Sequence, residues 1–208
     1  MHSLKMHSAK RLLPCAVPVE NDVDVIEAIL SRNAQGKLIA PAPGPEVLNR
    51  AFACALRAPD HQVLRPWRYL VVEGEALEKL GAIFVAASLT AEPHLDEARV
   101  EKLKKMTRRA PMIVVALTVH KEDPKVPLEE QVLSSGAGIQ NFILALHAEG
   151  FTSMWRSGPL TQNADVKKAL GLAANESISG FVYVGTAGSE AKKITHLPVS
   201  SFVTAWKG

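Results

Sequence analysis

Arg57-Ala-Pro-Asp-His61-Gln-Val-Leu-Arg65-Pro66-Trp67-Arg68 is the stretch on which the fold turns. A helix pattern runs into it, a polar and basic turn occupies it, and an apolar strand leaves it. Pro59 and Pro66 stiffen the backbone and remove two N–H donors. Arg57, His61, Arg65 and Arg68 supply planar cations or donors suited to phosphate and to heteroaromatic oxygens. Such a turn is built to hold an anionic, planar ligand, which points to a cofactor site rather than a linker.

Upstream, the proline hinge Pro41-Ala-Pro43-Gly-Pro45 precedes Val47, Leu48, Phe52, Ala55 and Leu56 at helical spacing, so a helix stops before Pro59 and delivers Arg57 to the turn. An earlier helix runs from Asp22 to about Arg32 on Val25, Ile26, Ile29 and Leu30, with Asp22 or Asp24 as its cap. Downstream, Tyr69 to Val72 reads as a short buried strand. Helices are expected from about Glu75 to Ser88 and from about His94 to Arg109, the second broken by Pro111. Met112 to Val119, apolar on both faces and rich in β-branched residues, is the clearest buried strand.

A long helix follows from about Pro127 to Glu149. Its small residues Ser134, Ser135, Gly136, Ala137 and Gly138 suit close approach by another backbone. Thr152 to Gly158 is a strand entering a turn, Asn163 to Leu170 a short helix closed by Gly171, and Ile178 to Gly185 the last core strand. The tail Phe202 to Trp206 alternates as a strand does.

With 208 residues, 47% of them hydrophobic and 22% charged, the chain suffices for one core and is short for two enzyme domains. Residues 1 to 21 show no period, and read as an N-terminal extension, disordered or laid across a partner subunit. No apolar run is long enough to cross a bilayer and no signal-peptide h-region is present, so a cytoplasmic protein is expected. The net charge of +3 is mild, and the cluster Lys102, Lys104, Lys105, Arg108 and Arg109 reads as a solvated helix face rather than a nucleic-acid patch.

Cys15 and Cys54 lack metal-ligand spacing, and Cys54, beside Phe52, Ala55 and Leu56, reads as a buried thiol. Gly136-Ala-Gly138 lacks the third glycine of a dinucleotide fingerprint and lies inside a helix pattern. No hydrolase or metal signature is present.

The opening turn resembles the Ala-Pro-Ser-Ser and Gln-Pro-Trp stretch of the nitroreductase family, flavin enzymes that reduce small electron-poor substrates with a nicotinamide. Ala58-Pro-Asp-His61 and Trp155-Arg-Ser-Gly158 match one short branch of it. The resemblance runs from about Asp22 to Trp206. It implies an α+β, three-layer fold with a central, mainly antiparallel sheet flanked by helices, and one FMN-binding domain over residues 22 to 208. It further implies a homodimer with the long helix at its centre and a C-terminal strand exchanged between subunits.

The same resemblance names site residues. Arg32, Asn33 and Ala34 stand where the family has Arg-Arg-Ser or Arg-Ser-x-Arg. Arg32 serves either the flavin phosphate or the helix dipole, and Lys37 is a candidate second cation. Losing a guanidinium and a hydroxyl at Asn33 and Ala34 predicts flavin affinity lower by about one to two decades, at roughly 1.5–3 kcal/mol per charged hydrogen bond. Arg57 and His61 match positions that reach the flavin held mainly by the other subunit, with loop capping as the alternative for His61. Arg65 replaces the family's glutamine, and Trp67 reads as core packing.

Trp155, Arg156 and Ser157 match flavin contacts, with Arg156 expected near the phosphate. Ala145, Leu146, His147, Ala148, Glu149 and Gly150 match a nicotinamide-associated stretch, although Leu146 and Ala148 read equally well as core. The implied cofactors are FMN and NADPH or NADH, and the implied partner is a small electron acceptor such as a nitroaromatic or quinone. Flavin carries the redox chemistry, so no side chain is needed as acid or base. The alternative from another class is a flavin carrier or sensor with little turnover.

Overall fold

The computed structural model describes residues 24–208, so the N-terminal extension and Cys15 lie outside the described residues. Helix α1 spans Val25–Ser31 and starts where the Asp24 carboxylate accepts the N–H groups of Ile26 and Glu27. Its expected apolar residues Val25, Ile26, Ile29 and Leu30 are all exposed in the single chain, and Ala28 alone is buried. Strand β1 (Leu38–Ile39) and helix α2 (Pro45–Ala55) follow, with Pro45 at the first helical position.

Strand β2 is Trp67–Glu73 and helix α3 is Glu75–Ala91. Helix α4 begins at Glu97 rather than His94, because Asp96 takes the cap position and accepts the Arg99 N–H at 2.7 Å. It ends at Met106, and Thr107–Arg109 tightens into a 3-10 turn before Pro111. Then come β3 (Met112–Val119), α5 (Leu128–Ala148), β4 (Thr152–Arg156), α6 (Pro159–Gln162), α7 (Ala164–Ala169) and β5 (Glu176–Ala187).

Every strand pairing is antiparallel among the described residues. β3 lies between β2 and β5, while the other edge of β5 receives β4 and, further along, β1. Two cores result. On one face Ile113, Val115, Leu117, Phe181 and Tyr183 pack with Leu80 and Phe84 of α3 and Val166 of α7. On the other, Met112, Val114, Val182 and Val184 pack with Ala51 and Ala55 of α2 and Ile139, Phe142 and Leu146 of α5. This is the expected three-layer arrangement of helices, sheet and helices.

Two expectations are corrected. Cys54 is exposed in the single chain rather than buried, because α2 turns Ala51 and Ala55 inward and sets position 54 about 100° away from Ala55. Phe202 to Trp206 forms no strand within the chain; a 3-10 turn at Val199–Ser201 precedes a tail without regular structure whose Trp206 is 90% exposed.

Candidate functional site

The turn after α2 is held by polar side chains of its own and of neighbouring elements. Asp60 accepts the Arg65 N–H at 2.6 Å, His61 Nδ1 lies 2.7 Å from Glu130 Oε2 of α5, and Lys121 Nζ donates to the Leu64 carbonyl. Gln62, Val63 and Arg65 have φ of 58, 54 and 51°, a left-handed conformation that is costly for a β-branched residue such as Val63. Three such residues in one turn persist only because these tethers over-determine it. The turn and α5 enclose an open hollow of about 320 Å3 lined by Pro59, Asp60, His61, Glu130, Leu133 and Ala137.

Arg57 is exposed at this end and meets no carboxylate within 4.0 Å among the described residues. Arg68, in contrast, is not free to bind a ligand. It donates twice to Glu176, at 2.6 and 2.7 Å, and the hydrogen bonds hold that carboxyl below the usual glutamate range. Trp67 is half-buried, in keeping with packing.

A second cluster forms where α1 ends against the last turns of α5. Ser31 Oγ lies 2.8 Å from His147 Nε2, and burial first, then the nearby positive charge of Arg32, pushes the His147 pKa down. Asn33 Nδ2 donates to the Lys192 carbonyl at 2.8 Å, which lays the Lys192-Lys193 segment beside the Arg32, Asn33 and Ala34 loop. Arg32 has no carboxylate within 4.0 Å among the described residues.

The segment from Ala145 to Gly150 divides by role. Leu146 is fully buried in the core, Ala145 and Ala148 are half-buried, and Gly150 is exposed with a positive φ. Glu149 accepts a bidentate pair from Arg50 at 2.6 and 2.9 Å. His147 is the member that faces Arg32.

The third motif sits at the end of β4. Trp155 turns toward α5, where a Cβ added at Gly136 would lie 3.8 Å from its ring, and its Nε1–H donates to the Ser179 carbonyl at 3.1 Å. Arg156 points to the opposite face. Its Nε–H donates to Met154 Sδ at 3.1 Å and its guanidinium lies 5.5 Å from the centre of the Tyr183 ring. Ser157 is exposed.

Helix α5 relates the three motifs. From Glu130, beside His61, to His147, beside Arg32, the helix rises about 25 Å, with Gly136 and Trp155 between. Within one chain, therefore, the Arg57 and His61 turn and the Arg32 loop stand at opposite ends of α5 and do not come together. Among the described residues there is no cluster of side chains arranged for a metal ion, and no helix is long and apolar enough to cross a membrane.

A family model described as the nitroreductase family matches residues 40–186. The chain belongs to the nitroreductase family. Two curated relatives agree with the assignment. One, from Escherichia coli (strain K12), bears the name "Putative NAD(P)H nitroreductase YdjA" and is 33% identical over 183 residues, 88% of this chain and 99% of the relative. The other, from Haemophilus influenzae, bears the name "Putative NAD(P)H nitroreductase" and is 36% identical over 174 residues, 82% of this chain and 92% of the relative.

Solved structures share the fold of this nitroreductase-family chain. A nitroreductase-like family protein from Bacillus cereus superposes with a TM-score of 0.76 at 22% identity, covering 89% of this chain and 97% of its own. The FMN and NADPH-dependent nitroreductase NfnB of sphigopyxis sp. strain HMH gives 0.72 at 18% identity, covering 89% and 100%.

Four contributors escaped the sequence. Glu130, the partner of His61, sits on an ordinary charged helix face. Lys192 and Lys193 lie far along the chain from Asn33 and carry no motif. Ser179 owes its role to an irregularity in β5, for which the adjacent Gly180 is the single local signal.

Proposed function

We propose that the protein is a cytoplasmic, FMN-dependent NAD(P)H oxidoreductase, working as a homodimer, that reduces small electron-poor acceptors such as nitroaromatics or quinones. The observation that carries this reading is the placement of two incomplete half-sites at opposite ends of α5. A two-fold axis through the small-residue middle of α5 would set the Arg57 and His61 end of one subunit beside the Arg32 end of the other. The exposed apolar side chains of α1 and α5, with Leu133 71% exposed, are the surface such a dimer would cover.

The donor set suits FMN. Arg32, with no carboxylate within 4.0 Å among the described residues, and the Lys192-Lys193 segment beside it offer charge for a phosphate. Arg57 and His61 from the partner offer donors to the pyrimidine carbonyls of the ring, and Glu130 fixes the His61 imidazole in orientation. Trp155 and Ser157 are assigned to the ring region. Arg156, turned over Tyr183 on the far face of β4, is assigned to support β4 rather than to hold the phosphate. His147, at the same end as Arg32, is the member of the Ala145 to Gly150 stretch assigned to the nicotinamide approach.

FMN held by these residues would supply the redox chemistry, as the two-electron carrier between NADPH or NADH and the acceptor. The chain's own residues bind and orient it, keep water from one face with apolar side chains of the dimer, and favour negative charge at the pyrimidine edge. None must move a proton. The domain doing this is residues 22–208, preceded by the extension 1–21.

A second reading, a flavin carrier or sensor, is favoured by one observation: the Asn33 amide is spent on the Lys192 carbonyl and Ala34 has no donor side chain. Stopped-flow mixing of flavin-loaded protein with NADPH or NADH separates the two. Bleaching of the flavin followed by acceptor-driven recovery within seconds supports the oxidoreductase; reduction too slow to sustain any acceptor supports the carrier.

A further inference from the structure

Strand β5 carries one residue too many opposite β3. Ala116 pairs with Gly180 and Leu117 with Ile178, so Ser179 has no ladder partner and forms a β-bulge. Bulges re-aim backbone and side-chain groups beside functional sites, and here both freed groups are used. The Ser179 carbonyl accepts the Trp155 Nε1–H at 3.1 Å, and the Ser179 hydroxyl lies 2.6 Å from Oγ1 of Thr118, a residue with no exposed surface.

The next residue, Gly180, has no side chain where the indole lies. A Cβ there would collide with the Trp155 ring and stand 3.0 Å from the Arg156 carbonyl. Across the ring, Gly136 of α5 leaves ordinary van der Waals distance to Trp155. The indole is thus pinned at its nitrogen by a bulge, seated over one glycine and flanked by another, while 41% of the residue stays open to solvent.

Pinning of this kind is costly to arrange for a side chain that only fills space. Trp155 gains a fixed, partly open aromatic edge, which is what a planar ligand needs to meet without first ordering the ring. We infer that the Ser179 bulge, with Thr118 and Gly180, is a positioning device that presets the Trp155 indole for the planar ring of the bound cofactor. The inference rests on the FMN reading above for the identity of that ring, but the preset itself is a property of the free protein.

The test uses the full chain, free FMN and the emission of Trp155, isolated as the difference from Trp155→Phe. The double variant Thr118→Val with Ser179→Ala removes both hydroxyls together, so no buried partner is orphaned and the fold is kept. It is expected to shift and broaden the Trp155 emission in the apoprotein and to raise the FMN Kd about fivefold, the scale of one neutral hydrogen bond. Placed in the Trp155→Phe background, the same pair is expected to change the Kd by less than about twofold, since its route of action is gone.

Unchanged Trp155 emission would overturn the positioning, as would an equal rise in Kd in the Trp155→Phe background. Should the double variant fail to fold, Trp155→Phe, at a partly exposed position, carries the test: wild-type FMN affinity in that variant would overturn the proposal. A wild-type protein that binds no FMN would instead overturn the functional reading, and the apoprotein emission would still decide whether the bulge presets Trp155.

Discussion

Arg50 of α2 and Glu149 at the end of α5 form a bidentate ion pair at 2.6 and 2.9 Å, closing the helix pair at the end where Arg32 and His147 meet. The guanidinium hydrogen bonds hold the Glu149 carboxyl below the usual range, and Arg68 does the same to Glu176. Each contribution to stability is complete above the ordinary glutamate pKa of about 4.3 and is lost as pH falls through the lowered folded value. Glu176→Gln is expected to cost about 1–2 kcal/mol at pH 7, reduced from a fully buried pair by the exposure of Arg68. Urea midpoints measured from pH 7 to pH 3 check both parts, since the variant's acid limb should be flatter than the wild type's.

His147 gives a second, independent titration. Its pKa is lowered by burial and then by Arg32, so below the ordinary value of about 6.5 the unfolded chain takes up the proton first. The contribution to stability is therefore full above that value and declines as pH drops toward the lowered one. Arg32→Gln should move the His147 pKa upward in an NMR titration. Inorganic phosphate should do the same to the wild type by neutralising Arg32; no response to phosphate would remove Arg32 from the phosphate seat.

The two-ended layout makes a complementation experiment decisive for the shared site. Arg32→Ala and Arg57→Ala homodimers should each lose FMN, because every site lacks one half. Mixed and allowed to exchange, they should recover about a quarter of wild-type FMN sites, since half the dimers are hybrids with one intact site each. Absorbance of retained flavin after gel filtration reads this directly. A mixture as empty as its parents would mean that both residues serve a site within one chain.

Gly138 and Tyr69 set a packing prediction. Alanine for glycine inside a helix gains about 1 kcal/mol in propensity, but a Cβ at Gly138 would stand 2.9 Å from the Tyr69 hydroxyl and 3.2 Å from the Ala55 carbonyl. Overpacking of that kind costs about 1–3 kcal/mol, so Gly138→Ala should lower Tm. The Tyr69 hydroxyl is buried without a partner among the described residues, and burial pushes its pKa up to about 12. Tyr69→Phe should therefore raise stability by about 1 kcal/mol and partly rescue Gly138→Ala. A double-mutant cycle by thermal melts measures the coupling.

What the sequence made legible was local. Met112 to Val119 is apolar at every position but Thr118 because both faces of β3 are covered, one core by α3 and the other by α5, and that pattern needs no context to read. The capping of α1 by Asp24 and of α7 by Asn163 is equally local. Relationships across the chain were not legible. Arg68 reads as a ligand cation until Glu176, more than a hundred residues away, is found to hold it. Cys54 reads as buried because its neighbours are apolar, yet helical rotation turns it out. The direction of Arg156 follows from strand alternation, which sends Trp155 to one face and its neighbour to the other.

Helix α5 also constrains how this chain can change. Between Glu130 and His147 the two ends are fixed in phase as well as in distance, because each residue added or removed rotates one end against the other by about 100°. A single deletion there would swing His147 off Ser31 while leaving His61 on Glu130 untouched. Insertions can accumulate in the loops without such a penalty, so length variation within this lineage is expected to stop abruptly at the boundaries of α5.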